Sequence, residues 1–197
     1  MTEQNSMQKP MATEQTALQF GGPELMHVHE SMGALTGALE HIHMHQAHIQ
    51  DKQLSSIVMA QKQFLETVYN VIVETIQTAN EPAMKIGNYN MQQQHPTPTF
   101  GFTPKAPAKP ITQTAQLTDE CISSAILGHL KGIVSTFSTT ALEASQPVLR
   151  RVIADSVPQV IEMAYEIFLY ENQKAYYEVP QYNTADMLHI INHFAKI

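Results

Sequence analysis

Histidine is the residue type in this chain best suited to bind a metal ion or to change charge near neutral pH, and six of the ten histidines lie within residues 25–50. His41, His45 and His48 follow one another at i, i+4 and i+7, a spacing that places three imidazoles on one side of a helix. Imidazole nitrogen is a common ligand of transition metals, and its charge changes at about pH 6.5. This pattern predicts weak transition-metal binding by these three histidines.

Two other interpretations of the histidines remain open. In the first, they are polar residues around an exposed helix end and bind nothing. In the second, Ala34 and Ala38, together with His41 and His45, form a seam against another helix or another subunit. Alanine permits close approach of two helices, and imidazole can hydrogen-bond across such a seam. No cofactor is expected apart from a transition-metal ion bound weakly by His41, His45 and His48.

Carboxylates are the other groups that could hold a metal ion inside a helical protein. Diiron bundles use a glutamate from each of two helices and a Glu-x-x-His motif from each of the other two. The corresponding motifs here are Glu66-x-x-Tyr69 and Glu162-x-x-Tyr165, and a phenol with a pKa of about 10 is a poor neutral ligand. We therefore expect no diiron oxidase and no enzyme. The polar residues predicted to lie in the interior, where they would need hydrogen-bond partners, are Glu30, Glu66, Tyr69, Glu162, Tyr165 and His129.

Four long stretches with the period of an α-helix must position these side chains. Apolar residues recur in them every three or four positions, as expected for helices that bury one face. The predicted helices span residues 24–50, 52–79, 118–144 and 147–176. Ser145 is predicted to cap the fourth helix, and Thr184 is predicted to cap a short amphipathic helix that follows it.

The segment between the second and third predicted helices, residues 80–116, contains six of the eleven prolines. Proline disfavours helix, so this segment is predicted to be extended. A connection of this length is needed when the helices on either side of it are parallel, because the chain must then travel the full length of the bundle. We expect Tyr89, Phe100 and Phe102 to pin this crossover to the outside of the helices.

An internal repeat supports the same plan. Residues 63–72 and 159–168 share a glutamine, two apolar residues, a glutamate and a tyrosine at identical spacing. The chain then consists of two helical hairpins joined by the long crossover. The predicted fold is all-α: a ferritin-like four-helix bundle with a long crossover between the second and third helices, plus a short C-terminal helix.

Composition limits the domain plan and the function classes. Residues 1–20 are polar and aperiodic, so we expect a disordered tail; the bundle spans 21–182, and 183–197 form the short C-terminal helix. With 11 Lys and Arg and a net charge of −7, no nucleic-acid binding is expected. No apolar run is long enough for a membrane span, and no signal peptide is evident. The single cysteine allows no intrachain disulfide.

The third and fourth predicted helices resemble a known family. The sequences LTD at 117–119, EASQPVLR at 143–150 and NQKAYYEVP at 172–180 are similar in order and spacing to motifs of the coat F domain. This is the family of spore coat protein F and its relatives in endospore-forming bacteria. The resemblance covers roughly residues 20–182. It implies a ferritin-like bundle, a place in the spore coat or forespore, and no catalytic residues.

These observations lead to two hypotheses about function. In the first, the chain is a structural, non-catalytic protein of the spore coat or forespore, synthesised inside sporulating cells. It assembles through helix faces with other coat proteins or with copies of itself, as a homo-oligomer. In the alternative, it is a ferritin-like module that binds or stores metal. The two differ in whether purified protein contains stoichiometric metal.

Overall fold

The computed structural model describes residues 20–93 and 97–197, so nearly all of the predicted tail at 1–20 lies outside the described residues. The described chain is all-α, which confirms the predicted fold class. It has five α-helices and, within the described ranges, no β-strand beyond one isolated bridge between Phe100 and Val179. The helices are α1 (Gly22–His45), α2 (Lys52–Thr78), α3 (Asp119–Glu143), α4 (Pro147–Gln173) and α5 (Thr184–Ile191).

Several helix ends differ from the prediction. The first helix ends at His45 rather than at residue 50, and a 3₁₀ turn, Gln46–His48, leads into α2. Asp51 caps α2 by accepting hydrogen bonds from backbone N–H groups. The predicted caps at Ser145 and Thr184 are wrong. The side chains of Gln146 and Asn183, one residue away in opposite directions, cap α4 and α5 instead.

The four long helices surround one core. α3 packs extensively against both α1 and α4, while α2 packs against α4 and, least extensively, α1. α1 and α4 therefore lie diagonally across the core, as do α2 and α3. Fully enclosed aliphatic and aromatic side chains come from every helix: Leu35 and Ile42 of α1, Leu54, Ile57 and Leu65 of α2, Ile122, Ile133 and Phe137 of α3, and Leu149, Ile153 and Ile167 of α4.

α2 and α3 begin at the same end of the molecule. The Asp119 carboxylate, in the first turn of α3, accepts hydrogen bonds from the backbone N–H groups of Gln50 and Asp51, both at 2.9 Å. Asp51 is in turn the cap of α2. The two helices are therefore parallel, and the chain between them travels the length of the molecule. The finer, ferritin-like assignment stays a prediction.

The crossover is attached to the helices, but not by all the residues expected to attach it. Tyr89 is buried, and its ring packs edge-on against Phe64 of α2. Phe100 and Phe102, also predicted to pin the crossover, are exposed, so that prediction is wrong for their side chains. Backbone contacts replace them: the Gly101 N–H donates to the Val179 carbonyl.

Candidate functional site

Histidines from two helices meet at the seam between α1 and α3. The ring of His41 lies 4.5 Å from that of His45, one turn further along α1, and 5.0 Å from that of His129 on α3, measured between centroids. All three side chains are partly buried. His41 therefore lies between the other two imidazoles, and the contact with His129 crosses the seam.

The environment of His41 favours its neutral form. Burial lowers the pKa of His41, and the nearby imidazoles of His45 and His129 lower that pKa further. The Nε2 atom of His41 and the Nδ1 atom of His45 are buried without a hydrogen-bond partner. A buried polar atom without a partner carries a desolvation cost, so these two nitrogens destabilise the seam locally.

The structure does not bring the three predicted metal ligands to one point. His48 is exposed, and its ring lies 6.4 Å from that of His45. Within residues 20–93 and 97–197, no group of three or more His, Cys, Asp and Glu residues is arranged to hold a metal ion. Metal binding by His41, His45 and His48 thus stays a prediction. His129, classed from sequence only as an interior polar group, is the histidine of another helix that approaches His41.

Most of the residues predicted to be interior polar groups lie on the surface. Glu30, Glu66, Glu162 and Tyr165 are exposed, which corrects that prediction, while Tyr69 and His129 are partly buried. The cause is helical register. The buried stripe of α4 passes through Met163, Glu166 and Ile167, and a residue adjacent in sequence is rotated about 100° away from it.

The buried carboxylate of α4 is Glu166, which attaches the crossover. Tyr89 donates its hydroxyl to Glu166 Oε2 at 2.5 Å, and Gln61 Nε2 donates to the same oxygen at 3.1 Å. The backbone N–H groups of Gln92 and Gln93 donate to Oε1. Burial raises the pKa of Tyr89, and the Glu166 carboxylate raises that pKa further, so the phenol remains a donor.

Two further buried groups near the end of α4 also join separate segments, Glu171 to α3 and Asn172 to the crossover. Glu171 Oε1 accepts hydrogen bonds from the hydroxyls of Ser123 and Ser124 of α3, both at 2.8 Å. Burial raises the pKa of Glu171, and these two hydrogen bonds oppose that rise. The Asn172 side chain accepts from the Thr99 N–H at 2.7 Å and donates to the Thr99 carbonyl at 3.0 Å.

A third buried carboxylate joins three helix ends. Glu24, in the first turn of α1, accepts from the Ser145 hydroxyl at 2.7 Å and from the Gln146 N–H at 2.9 Å. Gln146 Nε2 in turn donates to the Ala79 carbonyl at the end of α2, at 2.9 Å. Burial alone would raise the pKa of Glu24, but the hydrogen bonds from Ser145, Gln146 and Gly21 lower it below its usual value.

The opposite end of the molecule is held by ionic contacts. Lys174, just after α4, forms an ion pair with Asp51 at 2.6 Å. The hydrogen bond from Lys174 lowers the pKa of Asp51, and the N–H groups of Gln53 and Leu54 add to that effect. Because Asp119 also binds the backbone at Gln50 and Asp51, α2, α3 and α4 meet at this end. These polar contacts therefore hold α2, α3 and α4 together at this end.

Two surface features have no such structural use. A cavity of about 360 Å³ opens between α1 and α2, and it is lined by Leu39, Glu40, His43, Met44, Lys62 and Glu66. The second feature is α5, which has no buried residue. Sequence reasoning predicted the amphipathic pattern of α5 but not the cavity, which depends on how two helices are spaced. In the described ranges, no helix is both long enough and apolar enough to cross a bilayer.

Comparisons with known proteins indicate what kind of protein this is. The family model for the Coat F domain matches residues 118–180. The spore coat protein F-like protein YhcQ of Bacillus subtilis (strain 168) is 34% identical over 175 residues, which cover 89% of this chain and 80% of that relative. No solved structure matches significantly. The family model covers α3, α4 and the segment after α4, including the Glu171 and Asn172 contacts.

Proposed function

Because the chain belongs to the family of spore coat F-like proteins, we propose that it is a structural component of the spore coat in sporulating cells. The name of the relative supports a place in the coat. The chemistry of the described chain supports a structural role. Its buried carboxylates, Glu24, Glu166 and Glu171, are each occupied by hydrogen bonds to other helices or to the crossover.

The observation that best supports this proposal is the use of the titratable groups. Catalytic groups are typically held in a concave site with vacant donors or acceptors facing a substrate. Glu166 instead receives donors from Tyr89, Gln61 and the backbone of the crossover. A carboxylate occupied in this way positions the chain and performs no chemistry. We propose accordingly that the protein has no enzymatic activity.

Assembly through helix faces is the second part of the proposal. A coat protein acts by contact, so its surface must offer faces for other coat proteins or for copies of the same chain. The apolar residues of α5 and the cavity between α1 and α2 are such faces. Contiguous exposed apolar surface is a common mark of protein–protein contact sites. We propose self-association, with other coat proteins as additional partners.

Localisation during sporulation tests the proposal directly. A fluorescent fusion of the full chain, expressed from its own promoter in an endospore-forming bacterium, is expected to surround the forespore. A fusion in which Leu54→Asp and Ile133→Asp disrupt the core is the control, because it separates specific localisation from simple expression. Diffuse signal throughout vegetative cells would contradict the proposal.

A further inference from the structure

Prolines recur at every third position in the middle of the crossover: Pro104, Pro107 and Pro110. Residues 102–112 contain no helix, strand or turn, and residues 99–116 are all exposed. Proline fixes φ at about −65°, and the residue before a proline is confined to extended or polyproline II geometry. Six of the eight residues in 103–110 are prolines or precede one. The segment 104–110 therefore favours a polyproline II helix.

A polyproline II helix has three edges, because it has about three residues per turn. The prolines of 104–110 form the first edge. Ala106 and Lys109, which each precede a proline, form the second edge, and Lys105 and Ala108 form the third. At a rise of about 3.1 Å per residue, the first edge is about 19 Å long.

The segment is attached to its own chain at its beginning and through the third edge. The Thr103 N–H donates to the Glu178 carboxylate at 2.7 Å. The Lys105 ammonium lies 3.7 Å from the same carboxylate and also donates to the Ala175 carbonyl. These contacts fix the start of the segment and leave the side chains of its first and second edges exposed to solvent.

The two exposed edges have the chemistry that aromatic grooves bind. Proline-rich segments of this geometry dock in grooves between aromatic side chains, and each groove receives a proline together with the residue before it. The dipeptides Ala106-Pro107 and Lys109-Pro110 are two such units in succession. Because the helix is formed before it binds, little conformational entropy is lost on binding.

Lys109 indicates the charge that the partner should carry. Its side chain is exposed, and it forms no ion pair with any residue that the structure describes. Lys105 differs, because its ammonium is already paired with Glu178. A carboxylate of the partner beside Lys109 completes the match, since opposite charges across an interface favour the encounter.

A cavity of this chain shows why the groove is placed on another protein. Phe100, Phe102 and Glu178 line a cavity of about 230 Å³, which combines aromatic rings with a carboxylate. The carboxylate of Glu178 is already occupied by Lys105 and by the Thr103 N–H of the same chain. That cavity on a second copy has no free carboxylate for Lys109.

We propose that residues 104–110 are a recognition segment that docks in a groove on another coat protein. The groove is lined by aromatic side chains, and its carboxylate pairs with Lys109. The prolines and the second edge contact the groove, while Lys105 holds the third edge to its own chain. This inference rests on the assembly part of the proposed function and names the segment and the chemistry of its partner.

The probe for the experiment is a purified SH3 domain with carboxylates beside its aromatic groove. Isothermal titration calorimetry measures its binding to the full chain. Pro107→Ala removes a ring from the first edge, and Lys109→Ala removes the unpaired charge. Pro180→Ala, at an exposed proline outside the repeat, is the matched control. Thermal unfolding checks that each variant is folded.

Wild type and Pro180→Ala are expected to bind the probe equally well. Pro107→Ala should bind about tenfold more weakly, the order of loss when a central contact residue is truncated. Lys109→Ala should bind about threefold more weakly at low salt, and this difference should shrink at high salt. Failure of the wild type to bind at millimolar probe, or equal binding by Pro107→Ala, would overturn the inference. A loss in Lys109→Ala alone would indicate a general ionic contact and would also overturn it.

Photo-crosslinking places the partner. Ala106 is replaced by p-benzoylphenylalanine in the full chain, sporulating cells are irradiated, and cross-linked peptides are sequenced by mass spectrometry. We expect cross-links to an aromatic-rich site of a different coat protein, and their loss when Pro107→Ala is added. Cross-links to copies of the same chain, cross-links that survive Pro107→Ala, or no cross-links would overturn the inference. Binding of the SH3 domain does not depend on cellular location, so absence of the protein from the coat would contradict the proposed function alone.

Discussion

At the scale of single residues, the buried carboxylates connect separate segments of the chain through hydrogen bonds. Glu24, Glu166 and Glu171 are almost fully enclosed, and each accepts hydrogen bonds from a different part of the chain. A buried carboxylate is stable only when hydrogen bonds replace its lost hydration. These residues therefore join segments that are distant in sequence. Their hydrogen bonds align those segments more specifically than apolar packing alone.

Removal of the Glu166 carboxylate tests this role. Glu166→Ala leaves the Tyr89 hydroxyl, the Gln61 amide and the backbone of the crossover without their acceptor. We expect the free energy of unfolding to fall by about 3 kcal/mol, since removing one partner of a buried charged network has that order of cost. We also expect proteases to cleave within residues 80–116 before they cleave the helices.

The control for this variant is Glu162→Ala, one turn earlier on the exposed side of α4. A substitution there should change the free energy of unfolding by less than about 0.5 kcal/mol. Urea denaturation followed by circular dichroism compares the two variants. Equal losses of stability in both would contradict the role assigned to Glu166.

His41 makes stability depend on pH. Its pKa is lowered in the folded state by burial and by His45 and His129, so the unfolded chain binds a proton more readily than the folded chain. Stability is therefore full above the unfolded-state pKa of 6.5 and declines as the pH falls below it.

His41→Ala should flatten this decline between pH 6.5 and 5.5, relative to wild type. Thermal melts across this range provide the measurement, with exposed His43→Ala as control. If the stability of His41→Ala declines as steeply as that of wild type, the role assigned to His41 is contradicted.

At the scale of helices, the sequence predicted more than it did at the scale of residues. The four long helices were predicted to within about five residues at each end, because apolar stripes and prolines are local signals. The ends that differ depend on long-range partners: α1 stops at His45, and the turn after it is attached to Asp119 of α3. No local pattern contains that information.

The interior polar groups could not be identified from sequence for a related reason. Glu162 and Glu166 lie one turn apart on α4, yet only Glu166 is enclosed. Glu166 lies in the buried stripe of α4, and the crossover encloses it further by donating from Gln92 and Gln93. Likewise, His129 meets His41 only because α1 and α3 are neighbours. Pairing of distant helices, rather than spacing along one helix, determines both results.

The role of α5 can be separated from folding. None of its residues is buried, so truncation after residue 182 should shift the melting temperature by less than about 2 °C, since surface changes cost little. The same truncation should abolish concentration-dependent self-association, measured by sedimentation velocity. A truncated chain that melts far below wild type would show that α5 packs on its own subunit and would contradict this prediction.

At the scale of the whole molecule, polar contacts join the helices at both ends of the bundle. Glu24 and Gln146 join α1, α2 and α4 at one end, while Asp119, Asp51 and Lys174 join α2, α3 and α4 at the other. A bundle joined at both ends in this way resists distortion under load. That property suits a structural component.

The most direct test of the central claim is the location of the protein in mature spores. Purified spores are extracted with detergent and reductant to remove the coat, and the extract and the remaining core are compared by quantitative immunoblot, with a deletion strain as the blank. We predict that most of the protein is in the coat extract and that vegetative cells contain none. Recovery of most of the protein from the spore core, or from vegetative cells, would contradict the assignment to the coat.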